Sequence, residues 1–198
     1  MTRYLYLTRH GEATPDESGL TPAGRRQATL LGERLRDVPF SAVHHGPLPR
    51  AAQTVGLISE HLPGVPVRVS EAAGDYVPYV PAAGELPPEH AGRLLGFLDQ
   101  FPDGDGSRLA REAEELFTGP VEGTRHDLVV THNFLIGWLV RAALDAPDWR
   151  WLGLNHGNAA LTVIRYGRDR PSSVLLYNDM GHLPAELRWT GFPPELRL

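Results

Sequence analysis

Short apolar runs of strand length alternate with longer helical patterns along most of this chain, which restricts it to α/β architectures built on a largely parallel sheet. Arg3 to Thr8 alternates, is rich in Tyr and Leu, and reads as a strand. Thr21 and Pro22 then open a helix in which Ala28, Leu31 and Leu35 share one face, ending near Asp37 to Pro39. A strand at Ser41 to His45, a helix from Pro49 to Leu62 and a strand at Val65 to Val69 follow. Glu71 to Pro88 is too rich in Pro and Gly to be regular, and a loop of that length suits a lid or binding loop. Helical patterns at Glu89 to Phe101 and Ser107 to Phe117 precede a strand at Asp127 to Thr131. A helix opening at His132-Asn133 and running to Leu144 comes next, then strands at Ala159 to Tyr166 and Ser173 to Asn178. The expected fold is a three-layer α/β/α sandwich with a mostly parallel central sheet. It forms one domain over 1–198, with a loop and helical insertion at about 71–118.

Ligands of such sheets sit at the carboxyl ends of the strands. Arg9-His10, His45 and His132 all fall there. Bulk properties narrow what the site handles. A net charge of −5, with no run of like charges, argues against a nucleic-acid binder held by a broad basic face. With no cysteine in the chain, zinc–thiolate sites, disulfides and a cysteine nucleophile are excluded. No stretch is long and apolar enough for a signal-peptide core or a membrane span, so no membrane association is expected, and the cytoplasm is the expected location. All 19 basic residues are arginine, which reads as compositional bias.

Arg9-His10-Gly11-Glu12 places a histidine just past a strand end, beside a cation and before a residue that tolerates close approach. Neutral imidazole is a competent nucleophile toward phosphorus near neutral pH. Arg50 starts the helix after the second strand, and Asn133 sits at a helix N-terminus whose free N–H groups and dipole favour an anion. Phosphoryl transfer needs its equatorial oxygens clamped and their charge offset, and arginine forks match those oxygens. Two arginines, two histidines and a helix end therefore make a coherent phosphate pocket, with no metal or other cofactor required.

These residues fall in blocks that resemble the histidine phosphatase superfamily, also called phosphoglycerate mutase-like. The blocks are Arg9 to Glu12, Leu20 to Ala28, Pro47 to Thr54 and Val129 to Asn133, in order and at suitable spacing. The resemblance implies that His10 is phosphorylated, that Arg9 and Arg50 clamp phosphate, and that His132 contacts it. Ile58 to Val65, Pro78, Pro81, Thr131 to Asn133 and Leu154 to Asn158 more narrowly resemble the mitochondrial member of this superfamily that dephosphorylates serine and threonine in proteins. The expected activity is a metal-independent phosphomonoesterase on a small-molecule phosphate ester or a phosphoprotein.

Two departures stand out. Gly46 replaces a serine that many members carry, and the usual downstream acid is not obvious. The leaving oxygen needs a proton. Asp75 best matches the acid's position, with Glu71 as competitor and a plain turn role as the bland alternative. Glu12 is expected to orient a site side chain and Thr14 to line the pocket. Tyr76 and Tyr79 are expected to shape its mouth, His45 to be a satisfied strand-end residue, His156 a turn residue, and Trp138, Trp149 and Trp151 packing residues. The alternatives are a phosphoglycerate mutase-type phosphotransferase, disfavoured by the short segment after Glu12, and an inactive phosphate- or phosphoprotein-binding module. A histidine-ligated metal hydrolase lacks ligand spacing.

Overall fold

A computed structural model describes residues 1–101 and 106–197. Six strands form a single mixed sheet in the order β3-β2-β4-β1-β5-β6. The strands are β1 Thr2–Arg9, β2 Ala42–His45, β3 Val67–Val69, β4 Thr124–Thr131, β5 Leu161–Gly167 and β6 Ser173–Asp179. β1, β2, β3 and β4 run parallel, whereas β5 lies antiparallel to β1 and β6 antiparallel to β5. The helices are α1 Pro22–Leu35, α2 Pro49–Ser59, α3 Pro88–Leu98, α4 Gly106–Phe117 and α5 Asn133–Ala143.

The alternation of β1 and β4 explains the layering, because successive side chains of a strand enter opposite faces. Leu5, Leu7 and Val129 pack with α4, α5 and Ile164 into one core. Tyr6, Leu128 and Val130 pack with Leu31 and Leu35 of α1 and Val55 and Ile58 of α2 into the other. Each face of the sheet is thus covered by helices, and no described helix is long and apolar enough to cross a membrane.

Local chemistry sets the element ends. Thr21 caps α1 by accepting from the Gly24 N–H at 3.0 Å, with Pro22 in the first turn. α2 stops at Ser59 rather than Leu62, because Leu62 precedes a proline and Gly64 adopts φ +80°; the chain leaves through 3-10-type bonds from His61 and Leu62. β3 starts at Val67, since Pro66 has no N–H to offer the ladder and contributes only its carbonyl to Val43. β4 begins three residues ahead of its apolar run, with Thr124 to His126 paired to the first residues of β1. Between β3 and α3 the only regular structure among the described residues is two short 3-10 turns, Glu71–Ala73 and Ala83–Glu85. Trp138 and Trp151 are buried as packing residues, and Trp149 is half-buried.

Candidate active site

The carboxyl end of β1 opens on a cavity of about 340 Å³ that reaches Arg9, His10, Arg50, Asp75, Glu12 and Glu17. His10 hangs from the sheet by its backbone. Its N–H donates to the Thr131 carbonyl at 3.0 Å, and its own carbonyl accepts from Asn158 Nδ2 at 2.9 Å. The next two residues are pinned by the helices: Gly11 N–H donates to Thr54 Oγ1 of α2 at 3.0 Å, and Glu12 N–H to Gln27 Oε1 of α1 at 2.8 Å.

The His10 ring is only 5 % exposed, and its tautomer follows from its neighbours. Nδ1 lies 2.7 Å from the Gly11 carbonyl, which can only accept, so Nδ1 carries the hydrogen. Nε2 then holds the lone pair, and it accepts from Arg50 Nε at 3.2 Å. Burial first, then His132, Arg9 and Arg50, push the His10 pKa down to about 3; the Gly11 carbonyl opposes them. The imidazole is neutral throughout the physiological range.

Arg50 is buried at the start of α2 and spreads its fork across the cavity. Nη2 donates to Asp75 at 2.7 Å and Nη1 to Glu17 at 3.1 Å. Arg9 is anchored from the far end of the chain, donating through Nη1 to the carbonyls of His156 at 3.0 Å and Gly191 at 2.7 Å. Burial lowers its pKa from the usual arginine value, with Asp75 working against that shift. His132, the residue before α5, packs its ring on His10 at a centroid distance of 5.0 Å. Its Nδ1 stands 3.4 Å from Asp75 Oδ2, outside hydrogen-bond geometry, and both its ring nitrogens are buried without a hydrogen bond. Burial, Arg50 and Arg9 hold its pKa at about 3.

The sequence-derived candidates divide clearly. Arg9, His10, Glu12, Thr14, Arg50 and Asp75 line the cavity together. Glu12 accepts from Thr21 Oγ1 at 2.7 Å, so it fixes the loop to the start of α1; its contact is not to a reacting side chain. Glu71 is not part of the cavity lining, whereas Asp75 is. Asn133 turns its side chain away, holding Asn155 Nδ2-to-Oδ1 at 3.3 Å and the His156 N–H at 2.7 Å. Tyr76 and Tyr79 belong to the core beside α4 and α5 and do not line the cavity; Tyr79 stacks on Trp138. His45 has its Nδ1 satisfied by Gly46, as expected of a strand-end residue. His156 is more than a turn residue: it is buried, and its carbonyl orients Arg9.

The two glycines of interest are glycine for reasons other than phosphate. A Cβ on Gly11 would lie 2.4 Å from the Gly24 carbonyl oxygen, so Gly11 serves a backbone crossing. A Cβ on Gly46 would lie 2.4 Å from the Ala73 carbonyl oxygen, which leaves no space for a serine there. Glu17, Asn158 and Gly191 were not anticipated as lining residues. Glu17 sat in a polar loop without signature, and Gly191 is remote from every other site residue in sequence.

Fold and pocket together define an α/β protein with a histidine held at the carboxyl edge of its sheet between two guanidinium groups. The profile of the histidine phosphatase superfamily (branch 1) matches residues 5–76 and 81–179, and the chain belongs to that superfamily. The mitochondrial serine/threonine-protein phosphatase Pgam5 of Caenorhabditis elegans is 31% identical over 190 residues, covering 92% of this chain and 65% of that protein. The mitochondrial PGAM5 of Rattus norvegicus is 29% identical over 196 residues, covering 93% and 65% respectively. The chain thus spans about 65% of the length of these relatives. Both are mitochondrial proteins by name, which overturns the expectation of a cytoplasmic protein. Among solved structures, Bacillus stearothermophilus YhfR superposes with a TM-score of 0.67 at 24% identity, over 91% of this chain and 98% of that one. A Plasmodium falciparum phosphoglycerate mutase superposes at 0.63 and 19% identity, over 93% and 95%. The expected phosphoglycerate mutase-like α/β fold is therefore the fold of this chain.

Proposed function

We propose that the protein is a phosphomonoesterase that works through a phosphohistidine on His10. The observation that carries this reading is the neutral His10 ring, its Nε2 lone pair pointed at Arg50 inside a cavity that also holds Arg9 and Asp75. Membership of the superfamily and the phosphatase relatives support the coarser statement, phosphatase activity.

Arg50 Nε stands in front of Nε2. An incoming phosphoryl group takes that place and draws the Arg50 and Arg9 forks onto its oxygens, where they offset developing charge. Nε2 attacks phosphorus in line; the P–N bond forms as the P–O bond to the leaving group breaks. Asp75, released from Arg50, takes the proton carried by the phosphate monoanion and passes it to the leaving oxygen. The Nδ1–H bond to the Gly11 carbonyl steadies the positive ring of the phosphohistidine. Asp75, now a carboxylate, takes a proton from water as that water attacks phosphorus, which returns His10 and releases phosphate.

The relatives' names support phosphoserine or phosphothreonine in a protein as one substrate class, with a small phosphate ester as the other. The test is acid-labile, base-stable labelling of the protein by a phosphate donor, beside hydrolysis of an aryl phosphate. The His10→Ala chain is expected to lose the label and at least about a thousandfold in turnover while remaining folded at neutral pH. Turnover that survives in that variant overturns the mechanism.

A further inference from the structure

The cavity is lined by two guanidinium groups, Arg9 and Arg50, and by three carboxylates, Glu12, Glu17 and Asp75. Two of those carboxylates have work inside the protein. Glu12 is tied to Thr21, and Asp75 lies between Arg50 and His132. Glu17 differs. It reaches in from the loop before α1, from a backbone at φ +57° that few residues other than glycine adopt, and its side chain is 68% exposed. Its contact is with Arg50 Nη1, part of the guanidinium fork assigned above to the phosphate.

Resting on the phosphatase reading of this pocket, we propose that Glu17 determines specificity. It favours phosphomonoesters that carry a cationic group beside the phosphate and disfavours those that carry a carboxylate or second phosphate there. A phosphate that captures Arg50 strips Glu17 of its partner and leaves a solvated carboxylate at the rim, a few ångströms from the substrate's next substituent. An ammonium or guanidinium there replaces the lost partner. A second anion faces Glu17 with its charge no longer offset. Among the described residues the lining holds no cation beyond Arg9 and Arg50 to relieve that repulsion. At well-solvated separations one unit charge changes affinity by roughly three- to fourfold in either direction, so two opposite charges differ by about tenfold.

The probes are phosphoethanolamine and phosphoglycolate, of similar size and opposite in the charge beside the phosphate. Binding is measured by calorimetry on the His10→Ala chain, which does not consume them, with Glu17 retained, changed to Gln and changed to Arg. Phosphate release is measured in parallel on chains with His10 intact. Phosphoethanolamine is expected to bind about tenfold more tightly than phosphoglycolate, the preference to collapse in Glu17→Gln, and to reverse in Glu17→Arg. A ratio that is the same in all three proteins, a native preference for phosphoglycolate, or no binding of either probe overturns the proposal. The two readings separate cleanly. A charge-dependent binding ratio without turnover of any ester removes the phosphatase reading and leaves the selectivity, whereas turnover with an unmoved ratio does the opposite.

Discussion

The Asp75 carboxylate accepts from Arg50 Nη2 at 2.7 Å, so the proposed acid is tethered to the proposed phosphate clamp until a substrate separates them. In Asp75→Asn the clamp persists and the proton is lost. Hydrolysis of alkyl phosphates, whose leaving oxygens need protonation, is expected to fall about 10²- to 10⁴-fold, and that of activated aryl phosphates far less. Glu71→Gln should leave both rates near the native ones, because Glu71 does not reach the cavity. Equal losses on the two ester classes in Asp75→Asn would show that its role is not proton transfer.

Gly11 and Gly24 carry the crossing of the His10 loop over the first turn of α1. A Cβ on Gly11 meets the Gly24 carbonyl oxygen at 2.4 Å, and one on Gly24 meets the Glu12 carbonyl oxygen at 2.1 Å. Both partners are backbone and cannot swing aside. Gly11→Ala and Gly24→Ala are each expected to cost about 2–3 kcal/mol in urea unfolding. Gly56, inside α2 with open space where a Cβ would stand, is the contrast. Gly56→Ala should stabilise the fold by about 0.5–1 kcal/mol through helix propensity.

His10, His132 and His156 share a titration signature. Burial is the largest cause in each, and each pKa is held at about 3. An unfolded chain returns them to about 6.5. Between those values the unfolded chain binds protons that the folded one does not. Stability therefore rises with pH across the window from about 3 to about 6.5, levels off above it, and is lost as pH falls. Each group contributes a slope of at most about 1.4 kcal/mol per pH unit. Urea midpoints from pH 4 to 7.5 should show a shallower slope in His10→Ala than in the native chain. Identical slopes would mean that His10 is not held neutral by the fold.

The contrast between what local chemistry announces and what only the folded chain reveals is plain in particular residues. β1, the Thr21 cap, Pro22 and the Pro49-Arg50 helix start were legible because each depends on its immediate neighbours. The positions of His10, Arg50 and His132 followed from a general property of parallel strands, which present their carboxyl ends together. Gly11 was legible as a point of close approach, and the backbone that approaches it belongs to a glycine thirteen residues further on. Tyr76 and Tyr79 looked like rim residues of a Pro-rich loop, yet burial against α5 and Trp138 outweighs the polarity of their hydroxyl groups. Glu17 was invisible because its meaning lies in a single contact with Arg50 across the cavity.

The bond from Arg9 to the Gly191 carbonyl spans 182 residues of sequence. During synthesis Arg9 leaves the ribosome early and finds this partner only after the whole sheet has been made. A nascent chain that has already assembled all six strands, the last ending at Asp179, still holds a guanidinium with one of its two carbonyl anchors, Gly191, missing. The correct aim of Arg9 thus becomes a timestamp, separating chains that have merely collapsed from those in which the last turn of the fold has closed over the first strand.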